Sequence, residues 1–412
     1  MPGRGRLPGT DRRPEQVVCH VDMDCFYAAC ERLREPELRG EPLVVGMGYE
    51  AGADNGAVAT ASYEAREYGV ESAMAISEAL ELLPRREGEN ADAGDSENRG
   101  YYRPVDMAYY ESVAEDVKAI LHDSADVVRE VSIDEAYLDV TDRTDWEGVR
   151  RFARDLKRRI EADVGVVASV GVAPTMSAAK IASDANKPDG LVVIEPGDVQ
   201  DFLRPMDVEA VHNVGPVTAR ELREMGIETA GELADSDPDR LADRFGERGL
   251  EIYRFARGED TRSVTPRDEP KSFSRESAFS DAIDDHDRVR ERVRTLAEAV
   301  AERAIREGAL YQTVGIKVVT PPYDVNTRAR SLSGPVDDPE LVEAIALDLL
   351  TEFETTRVRK VGVRVSKLSF TEREQVRLDG FTGSGHERDE GQSPEIEDKR
   401  GLSGQLTLSD FR

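Results

Sequence analysis

Residues 17–27 read VVCHVDMDCFY, an apolar run ended by two carboxylates, Asp22 and Asp24, and then by two aromatic rings, Phe26 and Tyr27. A short, nearly continuous apolar run predicts a buried strand. Asp22 and Asp24 sit at its end with a spacing of two, so both point to one face if the strand continues. Carboxylates are depleted in strands, and a second run shows the same exception. DVVREVSIDEAYLDVT (126–141) predicts two short strands around a tight turn, with Asp134 and Glu135 at the turn. Two carboxylate clusters, each set in strand sequence and far apart along the chain, suggest a shared cation site. Hard oxygen ligands favour magnesium.

Outward from these runs the pattern alternates. EPLVVGMG (41–48), GAVATAS (56–62) and VVASVGVAP (166–174) predict strands. YEAREYGV (63–70), SEALELLP (77–84) and stretches near 106–122 and 146–163 predict helices. Residues 87–100 are acidic and small, and predict a surface loop. The alternation implies an α+β sheet domain. Short helices separated by Gly and Pro follow near 198–257, and 258–271 reads as a linker. Strand, helix, strand, strand, helix, strand then runs to about residue 370. Residues 1–15 predict a mobile N-terminus and 371–404 a disordered linker, after which 405–412 (QLTLSDFR) regain apolar character.

The chain has 412 residues and a formal net charge of −29. Alone, that charge argues against a nucleic-acid partner. The acid excess is spread along most of the chain, however, and only nine of the 55 basic residues are lysine. This composition resembles that of proteins from salt-accumulating halophiles. At molar salt the Debye length is about 3 Å, so distant carboxylates would hardly repel a polyanion. No apolar run is long enough for a membrane span or a signal peptide, and the three cysteines match no zinc spacing. These features predict a cytoplasmic protein. The five histidines form no ligand cluster in the sequence.

Two magnesium ions about 3.5–4 Å apart can clamp an in-line phosphoryl displacement. Such chemistry also needs basic groups for a triphosphate, for which Arg66, Lys180 and Lys187 are the candidates. No G-x-x-x-x-G-K-[ST] loop is present, which disfavours a P-loop ATPase.

VDMDCFYAACE, VATASYEAREYGV, SIDEAYLD and AAKIASDANKPDG stand in this order between residues 21 and 190. Together they resemble the signature blocks of Y-family DNA polymerases, most closely the DNA polymerase IV branch. The resemblance implies a right-hand fold. A ferredoxin-like palm would take 16–25 and 85–190, and small fingers 26–84. A helical thumb with a helix-hairpin-helix would take 191–257, and an α/β little finger 272–370. It implies Asp22, Asp134 and Glu135 as catalytic, metal-binding carboxylates, with the Met23 carbonyl completing the set for two Mg²⁺. Tyr27 matches a steric gate that excludes a 2′-hydroxyl by clash, with Phe26 beside it. Tyr63, Arg66 and Lys187 match triphosphate contacts, and Asp24 and Lys180 match supporting positions. The implied activity is low-fidelity, template-directed synthesis without a proofreading exonuclease, on primed DNA and dNTP, by a monomer.

VHNVGPVTARELREMGI (211–227) resembles a helix-hairpin-helix, whose turn offers backbone N–H groups to a DNA phosphate. Gly215 is kept, but Asn213 replaces the first glycine of the usual turn. Residues 272–370 carry 15 basic and 17 acidic side chains, so nearly all of the net charge lies elsewhere. Lys360 and Arg364 alternate with valines, and Arg328 and Arg330 are read likewise, as a basic sheet face for a duplex. Gln405, Leu408 and Phe411 fall on one side of a helical turn, and resemble the peptide by which replication proteins hold a sliding clamp. Two rivals remain open: a nucleotide cyclase, which needs no duplex grip, and a DNA-bound clamp adaptor with a dead palm.

Overall fold

The computed structural model describes residues 16–86 and 98–370. The expectations for 1–15, for most of 87–100, and for the C-terminal segment with Gln405, Leu408 and Phe411 lie outside the described residues. The chain divides into two compact units, 1–268 and 269–412.

The first unit opens with β1 (Val18–Met23), which ends sooner than its apolar run suggests. Cys25 takes a left-handed φ of 45° and its thiol donates to the Ala61 carbonyl, so the chain turns within two residues into α1 (Phe26–Arg34). There follow β2 (Leu43–Met47), β3 (Ala57–Ala61), α2 (Tyr63–Arg66) and α3 (Ile76–Leu82). Next come β4 (Tyr101–Pro104), α4 (Met107–Ser124), β5 (Val127–Glu130), β6 (Glu135–Asp139) and α5 (Val149–Asp163). β7 (Ala168–Ala173), α6 (Met176–Asp184), β8 (Leu191–Val193) and α7 (Val199–Leu203) complete this part. One sheet has the order β5-β6-β1-β7-β8, and a smaller one the order β3-β2-β4.

Two boundaries shift from those expected. Tyr101–Pro104 pairs with β2, so the small sheet draws on residues beyond 84. Leu191–Val193 pairs with β7, so the large sheet continues past 190. Single short strands of this kind carry little pattern of their own and are placed by their partners.

Period-two alternation sorts the large sheet. Cys19, Val21, Met23, Ala136 and Leu138 enter a core with α4 and α5. Val18 and Tyr137 instead join α6 and α7. Four further helices follow: α8 (Pro216–Glu224), α9 (Ala230–Ala234), α10 (Pro238–Phe245) and α11 (Glu247–Ala256). They close around their own core of Leu222, Leu233, Leu241 and Ile252.

The stretch read as a free linker is partly docked. Val264 is buried against α6 and α7, and Asp260 accepts from the Ser177 N–H at the start of α6. The second unit holds β9 (Ser272–Ile283), α12 (His286–Arg306), β10 (Ala309–Thr320), β11 (Asp324–Val336), α13 (Pro339–Leu350) and β12 (Val358–Phe370). Its antiparallel sheet, β11-β10-β12-β9, carries both helices against one face. Among the described residues no helix is long and apolar enough to cross a membrane.

Candidate active site

β1 and β6 pair so that Asp22 stands directly opposite Glu135. Both face α6, the side to which period two also turns His20. α6 approaches closely because residue 171 is glycine. A Cβ there would stand 2.1 Å from the Ala179 carbonyl oxygen and 2.2 Å from the Ser183 nitrogen. The close approach lays Lys180 over the carboxylates. Its Nζ donates to Asp22 Oδ2 and to Glu135 Oε2, both at 2.9 Å. Lys187 Nζ donates to Asp22 Oδ1 at 2.6 Å and pairs with Asp184 at 2.9 Å. Asp134 accepts from the Ser132 hydroxyl at 2.5 Å, and its carbonyl accepts from the Met23 N–H at 2.9 Å.

The electrostatics follow from this crowding. The His20 imidazole, with Nε2 3.5 Å from Glu135, and the Lys180 ammonium hold the Glu135 carboxyl down to about 2 against its partial burial. Burial, and then the charges of Asp22 and Glu135, push the Asp134 carboxyl up in spite of its serine. Burial depresses His20, whose Nδ1 lies 2.8 Å from Ser183 Oγ. Burial opposes the charge of Lys180, but the carboxylates around it outweigh that and raise its pKa.

As they stand, no three His, Cys, Asp or Glu side chains among the described residues converge tightly enough to hold a metal ion. Asp22 faces its lysines and Asp134 its serine. The donor chemistry nonetheless suits a hard dication, with three carboxylates, no thiolate, and a mutual repulsion that a cation would relieve.

Tyr27 is half-buried and stacks on Tyr110, with ring centroids 4.7 Å apart at 19°. The Tyr110 hydroxyl donates to the buried Glu31 at 2.5 Å, which fixes that ring. Phe26 turns its ring inward. It is 2% exposed and belongs to the core, so only its backbone can meet a ligand. Its N–H lies in the first turn of α1, which no side chain caps.

Ser62 caps α2, its hydroxyl accepting from the Ala65 N–H. Arg66 lies over the Tyr63 ring at 4.9 Å, and the Tyr63 hydroxyl donates to Asp24 at 3.1 Å. Tyr63, Arg66, Lys187 and the carboxylates thus come from four separate stretches of the first unit. His20, Ser132 and Ser169 were not foreseen. For His20 and Ser169 the signal was the alternation along β1 and β7, legible only once the pairing partners are known; Ser132 lies in the turn between β5 and β6, where no period applies.

The hairpin turn survives its substitution. Asn213 takes a φ of 68°, the left-handed region that asparagine tolerates best after glycine, and Gly215 caps α8. In the second sheet one expectation is corrected. Arg328 and Arg330 stand opposite Ile316 and Val314, on the face covered by helices. They pair there with Glu352 and Asp348. Lys360 and Arg364 take the other face, because their neighbours Val361, Val363 and Val365 enter the core. Lys317, opposite Gly362, joins them on the open face and was not singled out in the sequence.

Comparison with known proteins agrees with this layout. Residues 21–184 match the model of the impB/mucB/samB family, 270–379 that of its C-terminal domain, and 196–227 the IMS family HHH motif. DNA polymerase IV of Halobacterium salinarum (strain R1) is 65% identical over 383 residues, covering 93% of this chain and 92% of that protein. DNA polymerase IV of Methanoculleus marisnigri is 38% identical over 89% of this chain and 98% of its own length. Among solved structures, the Y-family DNA polymerase chimera Dbh-Dpo4(243-245)-Dbh superimposes with a TM-score of 0.74 at 28% identity, over 86% of this chain and all of its own. An insertion ternary complex of Dbh DNA polymerase gives 0.61 at 26% identity, with the same coverage. The chain belongs to the impB/mucB/samB family, the Y-family DNA polymerases, within the DNA polymerase IV group of DNA-directed DNA polymerases.

Proposed function

We propose that this chain performs template-directed, low-fidelity DNA synthesis for lesion bypass and repair, adding a deoxynucleoside monophosphate to a primer 3′-hydroxyl without a proofreading exonuclease. The observation that carries this reading is the carboxylate pair Asp22 and Glu135, opposed across β1 and β6 with Asp134 beside them and two lysines above. Two Mg²⁺ held by Asp22, Asp134, Glu135 and the Met23 carbonyl would lower the pKa of the attacking hydroxyl and offset charge on the leaving pyrophosphate.

The chain's own groups bind and orient. Lys187, Arg66 and Tyr63 hold the triphosphate, together with first-turn N–H groups of α1, including those of Phe26 and Tyr27. The Tyr27 ring, braced by Tyr110, leaves no room beside the sugar for a 2′-hydroxyl. The hairpin at Gly215 and the sheet face with Lys360 and Arg364 take duplex phosphates without reading sequence.

The same reading assigns Gln405, Leu408 and Phe411 to a sliding clamp. It places the enzyme in the cytoplasm as a monomer that works in high salt. The test is primer extension on an undamaged template with magnesium, in low and in molar potassium chloride, beside an Asp134→Ala/Glu135→Ala double variant. Extension by the parent alone supports the reading. A parent that binds primed DNA yet extends nothing in any salt removes it in favour of a clamp adaptor.

A further inference from the structure

We propose that Asp24, beyond any role of its neighbour Asp22, is the positioning residue for the phosphate side of the site, fixing Tyr63 and the loop after Lys187 against one carboxylate; this rests on the polymerase reading above. Asp24 is 7% exposed, and its oxygens receive donors from three places. The Tyr63 hydroxyl donates to Oδ1 at 3.1 Å. The Ser169 hydroxyl, on β7, lies 2.9 Å from Oδ1 and 3.1 Å from Oδ2. The Asp189 N–H donates to Oδ2 at 2.7 Å.

Ser169 is held in turn, since its Oγ accepts from the Gly190 N–H at 3.0 Å. Asp189 and Gly190 follow Lys187 by two and three residues. The Lys157 ammonium secures the same loop, 2.8 Å from Asp189 Oδ1 and 2.9 Å from the Gly190 carbonyl oxygen. One buried side chain therefore sets the distance between Tyr63, which comes from the fingers, and the palm loop that carries Lys187. Asp22 meets the lysines and Asp24 meets neither, so the two carboxylates divide the work.

Only an acceptor at both oxygens serves all of these donors. Asparagine has nearly the same shape but turns one oxygen into an NH₂ donor; with the other oxygen kept for the Asp189 N–H, the Tyr63 hydroxyl must turn from donor to acceptor and loses its charge-assisted bond. The experiment compares full-length parent, Asp24→Asn, Tyr63→Phe and the double variant in single-nucleotide extension of primed DNA, with thermal melting of each. Asp24→Asn is expected to raise the dNTP KM about tenfold with a smaller change in kcat, and Tyr63→Phe to raise it severalfold. In the double variant the rise falls short of the product of the two single rises, because the changes share the Tyr63–Asp24 bond although Tyr63→Phe also removes a triphosphate contact.

Effects that multiply, or an unchanged KM in Asp24→Asn, overturn the proposal. Should Asp24→Asn fold poorly, Ser169→Ala keeps the carboxylate and is expected to raise KM less but in the same direction; no rise there overturns it too. Amide exchange at Asp189 gives a second readout, expected to quicken in Asp24→Asn. If the parent extends no primer the functional reading fails, and the exchange rate alone decides whether Asp24 holds the loop.

Discussion

The five-stranded sheet of the first unit buries its important charges, whereas the four-stranded sheet of the second displays them. Asp22 and Glu135 lie under α6, where Gly171 lets the helix come close enough for Lys180 to reach both. In the second sheet Lys317 and Lys360 share one acid, Glu276, on an open face of small residues that includes Gly315 and Gly362. The first arrangement fixes a few charges in a low-dielectric setting, where position decides chemistry. The second spreads exposed charges that are individually worth little and are screened by salt. Catalysis needs the former and a sequence-blind grip on a duplex the latter.

The largest test of this contrast is Lys180→Met, which leaves Asp22 and Glu135 without their shared cation. It should lower unfolding free energy in chelator by about 3 kcal/mol, the low end for a broken buried pair because a quarter of the Lys180 side chain is exposed. Denaturant melts with and without magnesium check this, and magnesium should recover part of the loss. Next comes Tyr27→Ala, expected to reduce discrimination against ribonucleotides roughly a hundredfold, about 2.7 kcal/mol. The ratio of kcat/KM for dNTP and rNTP measures it, and an unchanged ratio removes Tyr27 as the gate.

The docked linker gives a pH-dependent test. Burial opposes the charge of Asp260, but Arg262 and the backbone N–H groups of Arg262 and Ser177 more than offset it and hold the carboxyl below its ordinary 3.8. A depressed carboxylate adds stability that is fully present above the unfolded value and is lost as pH falls through the folded one. Asp260→Asn should therefore cost about 1–2 kcal/mol at pH 7 and lose less than the parent between pH 4 and pH 2. Equal acid sensitivity in parent and variant would show that the linker's dock contributes nothing.

The smallest effects belong to the open sheet. Lys360→Ala and Arg364→Ala should each weaken DNA binding severalfold and reduce the salt slope by about one. Arg328→Ala and Arg330→Ala, on the other face, should leave the slope unchanged. A slope that fell for these two and held for the first two would reverse the assignment of faces.

The same contrast explains what could be read from the sequence. Asp22, Asp134 and Glu135 stand out because short strand motifs carry them in a fixed order; the pairing of β1 with β6 that sets Asp22 opposite Glu135 belongs to the fold. The element order of the second unit was legible too. The face of Arg328 and Arg330 was not, because one residue of register inverts a strand and the pairing of β10 with β11 shifts between Tyr311 and Thr313. The inward turn of the Phe26 ring was not legible for a related reason. Its place beside Tyr27 says nothing of the helix turn that sends one ring inward and the other to the site. Asp24 stands out in its motif, but its meeting with Ser169 and Asp189 exists only in three dimensions, so no local pattern announces it.

The proposed function makes the lysine-covered carboxylates of β1 and β6 the synthetic centre. Asp22→Asn tests it most directly, with primed-DNA affinity and single-turnover extension measured on one preparation. DNA affinity is expected to stay unchanged and extension to fall by about three orders of magnitude, the several kcal/mol that a metal-binding carboxylate supplies. Extension at or near the parental rate would contradict it.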